Sequence, residues 1–112
     1  MTDVVFYKNN GVITAFECSG HTGYADNGYD IVCSALSSIA QSCALGITEV
    51  LRVNAKIKRN DDKGYYRVVL PDGMTEEQLS GTQVLLQTMY MSVKTLAKDY
   101  SKFIKLEERE VC

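Results

Sequence analysis

The chain has 112 residues, 46% of them hydrophobic and 23% charged, with a formal net charge of −2. That length suits one domain, spanning residues 1–112, with a core it can bury unaided. The acidic balance argues against a general nucleic-acid binder, which needs a basic face to displace counterions, so no direct nucleic-acid partner is expected. The first residues, Met1 to Lys8, show no basic segment leading into an apolar one, and no apolar stretch is read as approaching the roughly 18 residues of a membrane span. The expected compartment is the cytoplasm, where thiols stay reduced, with no membrane partner.

Val4 to Tyr7 and Val12 to Cys18 read as strands joined by Asn9-Asn10-Gly11, residues that tolerate positive φ. Alternation places Val12, Thr14, Phe16 and Cys18 on one face of the second strand, with Ile13, Ala15 and Glu17 on the other. Residues 19–30 read as a loop punctuated by Gly20, Gly23 and Gly28. From Ile31 to Leu51 helical spacing puts Val32, Leu36, Ile39, Cys43, Ile47 and Val50 in one stripe, and Asp30 is a candidate N-cap. Val53 to Arg59 and Tyr65 to Leu70 form a second hairpin around Asp61-Asp62-Lys63-Gly64. Pro71 ends that strand, and Thr75 with Gln78 has the spacing of a capping box for a helix running to about Tyr100. Its core stripe is Leu79, Leu86, Met89, Val93 and Leu96, and its Met and Tyr surface suits either packing or a dimer face. Phe103 to Val111 alternates as a final strand. The order β-β-α-β-β-α-β predicts an α+β two-layer sandwich, with two long helices on one face of a small mixed or antiparallel sheet.

The chemistry concentrates between residues 20 and 37. The sequence has one histidine and four cysteines. Among Cys18, Cys33, Cys43 and Cys112 there is no Cys-x-x-Cys pair. With His21 added, the spacing still fits no familiar zinc pattern, so neither metal nor cofactor is expected. Cys18 and Cys43 fall at core positions, whereas Cys33 falls in the expected first helical turn, where unpaired amides and the helix dipole favour an anion. His21, on the glycine-rich loop, is a candidate general base. Asp30 could cap the helix or orient His21, and the Ser37 hydroxyl, one turn beyond Cys33, could bond the sulfur or a substrate. Ser34 could contribute its amide, though both serines also fit an N-terminal turn without catalytic duty.

The run Gly20-His21-x-Gly23-Tyr24-Ala25-x-x-Gly28-x-Asp30-Ile31-Val32-Cys33-Ser34-Ala35-x-Ser37 resembles the signature of the ribosomal-processing cysteine proteases, the Prp family. The resemblance implies a cysteine endopeptidase that removes the N-terminal extension of a large-subunit ribosomal protein, the extension ending in a hydrophobic segment. It implies catalytic roles for His21 and Cys33 and supporting ones for Asp30, Ser37 and Ser34. It also implies a substrate-binding, moving loop at Gly20, Gly23, Tyr24 and Gly28, and a homodimer. Two other functions stay open on the residues. One is a non-enzymatic ribosome-associated binding protein using Lys56, Lys58, Arg59 and Arg67. The other is a thiol redox sensor at Cys33.

Overall fold

Asn10 and Gly11 adopt φ of 51° and 83°. Two left-handed residues in succession reverse a strand in the sense of its own twist. They join β1 (Thr2–Asn9) to β2 (Val12–Gly20), each longer than the alternation alone predicts. The protein is described here by a computed structural model, which covers residues 1–20 and 27–111, with the backbone alone for 27–30.

β1 and β2 pair from Thr2↔Gly20 through Phe6↔Phe16, but Tyr7 lies opposite Ala15 and Lys8 opposite Ile13. Thr14 is therefore an extra residue, a bulge that resets the alternation. Ile13 consequently joins Phe16 and Cys18 in the core at 2% exposure, where strict alternation placed it on the opposite face. The reset has a partner: the Gln83 side chain accepts from Ile13 N and donates to Ile13 O, both at 2.8 Å.

The element order is β1-β2-α1-β3-β4-α2-β5, and the sheet runs β3-β4-β2-β1-β5. β3 is Lys56–Asn60, β4 is Tyr65–Val69 and β5 is Ile104–Glu110. β5 lies parallel to β1 and the other pairs are antiparallel, so the sheet is mixed. One apolar cluster joins Val4, Phe6, Phe16, Val68 and Ile104 of the sheet to Val32, Leu36, Ala40, Ile47, Leu86 and Val93 of the helical layer. The expected α+β architecture and element order are borne out.

α1 (Asn27–Leu45) starts four residues earlier than the apolar stripe predicts. Asp30 is thus the fourth helical residue and not the cap. After Leu45 the chain widens into a π-helical turn, Gly46–Val50, with Leu51 N bonded to Gly46 O at 3.0 Å. The wider turn keeps Ile47 fully buried but swings Val50, an expected stripe residue, out to 77% exposure. Ile31–Val50 does reach the length and, with a mean hydropathy of 1.5, the composition of a membrane span, contrary to the sequence expectation. In this fold its Val32, Leu36, Ala40, Cys43, Ala44 and Ile47 are core residues.

Val53 is buried in the connection before β3 instead of beginning that strand. α2 (Glu76–Asp99) carries the expected capping box: Thr75 Oγ1 accepts from Gln78 N at 3.1 Å and Gln78 Oε1 accepts from Thr75 N at 3.0 Å. Its buried face begins at Thr82, fully enclosed, whereas Leu79 is 36% exposed. Thr82 could take that place because its hydroxyl donates to Leu79 O at 2.8 Å and so enters the core satisfied.

Candidate active site

The site is built where β2 ends against the β3–β4 hairpin. A short 3-10 turn, Asp61–Lys63, leads into Gly64 at φ 61°, and Gly20 N donates to Gly64 O at 3.1 Å. Neither glycine has room for a side chain. A Cβ on Gly20 would lie 2.5 Å from Thr2 Oγ1, and one on Gly64 would lie 2.2 Å from Gly20 O. Gly20 was expected within a loop; it is the last residue of β2, and the close approach of Thr2 on β1 is what requires it.

A cleft of about 190 Å³ opens between this corner and α1. Cys33, Leu36, Ser37, Ala40 and Gln41 line its helical wall. Tyr65 and Tyr66 line the sheet wall, and Arg59 and Asp61 lie on the hairpin, joined by an ion pair with Nε–Oδ1 at 2.7 Å. The helical residues recur at three- and four-residue intervals, so one face of α1 supplies them all.

The three described cysteines are free and separate cleanly by environment. Cys18 and Cys43 are 8% and 6% exposed. Burial pushes both thiols up to about 12, with Glu17 adding to the effect at Cys18. They are core residues held neutral. Cys33 is half-buried and opens both to the cleft and to a shallow depression it shares with Ser34, Ser37, Ser38 and Gln41. Cys18 also borders the cleft, but Cys33 is the more exposed of the two described thiols there and the one not held neutral by burial in the core.

The early start of α1 corrects one expectation about that sulfur. Cys33 is the seventh helical residue, in the second turn. Its amide and that of Ser34 are interior to the helix, where amides bond the carbonyl four residues back. They are not free to hold an oxyanion, and the dipole's influence falls off beyond the first turn. The unpaired helix-start amides belong to 27–30 instead.

Ser37 stands one turn from Cys33 on the cleft face, and its Oγ accepts from Gln41 Nε2 at 2.7 Å. With a lone pair so engaged, the hydroxyl proton is available to a group in the cleft. Ser34 is exposed beside it. His21, Gly23 and Tyr24 lie outside the described residues, as does Cys112. Gly28 and Asp30 are placed only by backbone, within the first turn of α1. Among the described residues no group of three or more His, Cys, Asp or Glu could hold a metal ion.

Gln41, Asp61, Tyr65 and Tyr66 were not among the sequence candidates, and Arg59 was one only for the alternative ribosome-binding role. The hairpin was legible, but its position across the cleft depends on β4 pairing with β2, a contact between distant segments.

A half-buried thiol on a helix, open to a cleft that Tyr65 and Tyr66 help to line, suits the class of nucleophilic cysteine hydrolases. The chain is a member of the Prp cysteine protease family: the family model described as "Cysteine protease Prp" matches residues 1–105. It is similar to the ribosomal processing cysteine protease Prp of Bacillus subtilis (strain 168), with 23% identity over 94 residues covering 84% of each chain. It is likewise similar to that of Staphylococcus aureus (strain NCTC 8325 / PS 47), with 26% identity over 99 residues, 88% of this chain and 90% of the relative. Among solved structures, the essential ribosomal processing protease Prp from S. aureus in complex with a substrate peptide superposes with a TM-score of 0.86 at 24% identity, covering 97% of this chain and 100% of that one. The same protease with a covalently linked product peptide gives 0.82 at 26% identity, with the same coverage. The protein is a cysteine protease.

Proposed function

We propose that the protein removes the N-terminal extension of a large-subunit ribosomal protein, with Cys33 as nucleophile and His21 as general base. The observation that carries the assignment is Cys33 itself, the half-buried thiol on the helical wall of the cleft, whereas Cys18, which also borders the cleft, and Cys43 are nearly enclosed. Membership of the Prp family supports it, as do relatives named for ribosomal processing and the S. aureus complex with a substrate peptide.

His21 takes the thiol proton and Cys33 Sγ attacks the scissile carbonyl. His21 then returns the proton to the leaving amine, and water hydrolyses the thioester. The oxyanion needs donors, and the amides of Cys33 and Ser34 are committed to α1. The Ser37 hydroxyl, oriented by Gln41, is the donor on this face. Asp30 orients His21 in this scheme, and the segment with Gly23, Tyr24 and Gly28 closes over the peptide. No cofactor takes part.

The enzyme works in the cytoplasm, consistent with its free thiols, and as a homodimer. The exposed Val84 and Met91 of α2 and the shallow groove between the helices near Ile39, Leu85 and Met89 offer a face for the second copy. A non-enzymatic ribosome-binding role would leave the placement of Cys33 without purpose.

The test is incubation with a peptide spanning the junction between extension and mature terminus. Wild type should cut it at one bond, while Cys33→Ala and His21→Ala should lose at least roughly a thousandfold in rate. Uncut peptide from folded wild type would overturn the assignment.

A further inference from the structure

The β3–β4 hairpin, which borders the cleft, is the basic part of an acidic chain. Between Lys56 and Val69 stand the cations Lys56, Lys58, Arg59, Lys63 and Arg67 against the carboxylates of Asp61 and Asp62, whereas the whole chain has a formal net charge of −2. The register sorts these residues by face. Arg67 pairs with both Glu17 and Lys58, and these three share the outer face. Arg59 pairs with Tyr66, and Tyr66 pairs with Cys18 of the core, so Arg59 takes the side of the sheet that the helices cover. Because β3 is the edge strand, Arg59 still keeps 53% of its side chain exposed there.

Among the described residues that line the cleft with Cys33, Arg59 and Asp61 are the two that carry charge. The helical wall of Leu36, Ser37, Ala40 and Gln41 has none, so any preference for charge in the cleft comes from the hairpin. Asp61 Oδ1 accepts from Arg59 Nε at 2.7 Å. That bond takes the inner nitrogen of the guanidinium fork. The terminal pair, Nη1 and Nη2, is a second edge on which a guanidinium receives a carboxylate through two parallel bonds. The excess of cations on the hairpin outweighs Asp61 and favours an anion at that edge.

We propose that Arg59 is a specificity-determining residue of the protease site: its guanidinium binds an acidic side chain of the peptide, Asp or Glu, at one fixed position near the scissile bond. This rests on the peptidase reading and adds a substrate class to it. Arg59 touches the peptide and takes no part in breaking the bond. The site selects a carboxylate over its neutral amide, and it rejects a lysine because two cations then meet without a partner.

The experiment uses junction peptides blocked at both termini, with Glu, Gln or Lys placed in turn at each position near the scissile bond. At one position wild type should prefer Glu to Gln by about tenfold in kcat/KM, with Lys cut most slowly. Arg59→Gln should lose that preference, and Arg59→Glu should reverse it so that the Lys peptide is cut best. A reversal matched to the peptide's charge is a readout that a merely structural role for Arg59 would not move. Lys58→Gln, which removes a like charge from the outer face of the same strand, should match wild type. The same order should appear in the Kd of fluorescently labelled peptides for proteins that also carry Cys33→Ala, which needs no turnover. Equal cleavage of Glu and Gln peptides at every position, a preference that survives Arg59→Glu, or an equal loss in Lys58→Gln would overturn the inference and leave the peptidase reading standing. Peptide that binds with this dependence on Arg59 yet is never cut would overturn the peptidase reading alone.

Discussion

At the scale of single residues, the site depends on two kinds of constraint. One is chemical. Ser37 accepts from Gln41 and faces the same cleft as Cys33. Ser37→Ala should lower kcat by roughly 10- to 100-fold through loss of a transition-state donor. Gln41→Ala, which leaves that donor but frees its orientation, should cost only a few-fold. Steady-state kinetics with the junction peptide compares them. The other constraint is steric. Gly64 combines φ 61° with a backbone oxygen of Gly20 where a Cβ would stand. Gly64→Ala should destabilise the fold by about 2 kcal/mol or more, measured by urea unfolding, and should impair cleavage because it displaces the cleft corner. Cys33 was legible because a histidine, a glycine-rich run and an apolar helix met in one continuous segment. Asp30 was not read correctly as a cap. An aspartate favours the cap and the first turn alike, and the residues that extend the helix backward to Asn27 include a glycine and lack an apolar stripe.

At the scale of elements, what escaped the sequence is local irregularity imposed from a distance. The order and class of every strand and helix could be read from alternation, helical spacing and the capping box. The bulge at Thr14 could not, since its clamp is Gln83, far away on α2. The π-helical turn at Gly46 also sits against α2, where a Cβ would come within 2.8 Å of Leu85 Cδ1. No periodicity announces either, and each changed which residue is buried: Ile13 moved in and Val50 moved out. Gln83→Leu should therefore cost about 2 kcal/mol, because it strips partners from both backbone groups of Ile13. Urea midpoints would show it. Cleavage by the folded fraction should be unchanged, since the bulge lies away from the cleft lining.

At the scale of the whole molecule, the sheet divides its labour between two faces. The inner face supplies the core, and Phe6 meets Tyr90 of α2 edge-on with centroids 5.3 Å apart. The outer face is charged, with Lys58 and Glu17 on either side of Arg67 in the sheet register. The Tyr65 hydrogen bond is the largest influence holding the Glu17 carboxyl below its usual range, with Tyr7 and Arg67 adding to it and burial opposing. A depressed folded-state pKa gives stability that is complete above the ordinary carboxylate value and is lost as pH falls through the folded one. Wild type should exceed Glu17→Gln in melting temperature at neutral pH, and the gap should close in acid. A gap that widens in acid would contradict that linkage.

The central claim is that the thiol of Cys33, and no other, performs the cleavage. Native protein treated with iodoacetamide for increasing times, then assayed on the junction peptide and mapped by mass spectrometry, tests this directly. Loss of cleavage should follow carboxymethylation of Cys33 in proportion, with Cys18 and Cys43 unmodified until the protein is unfolded. Full activity in molecules whose Cys33 is already carboxymethylated would contradict the account.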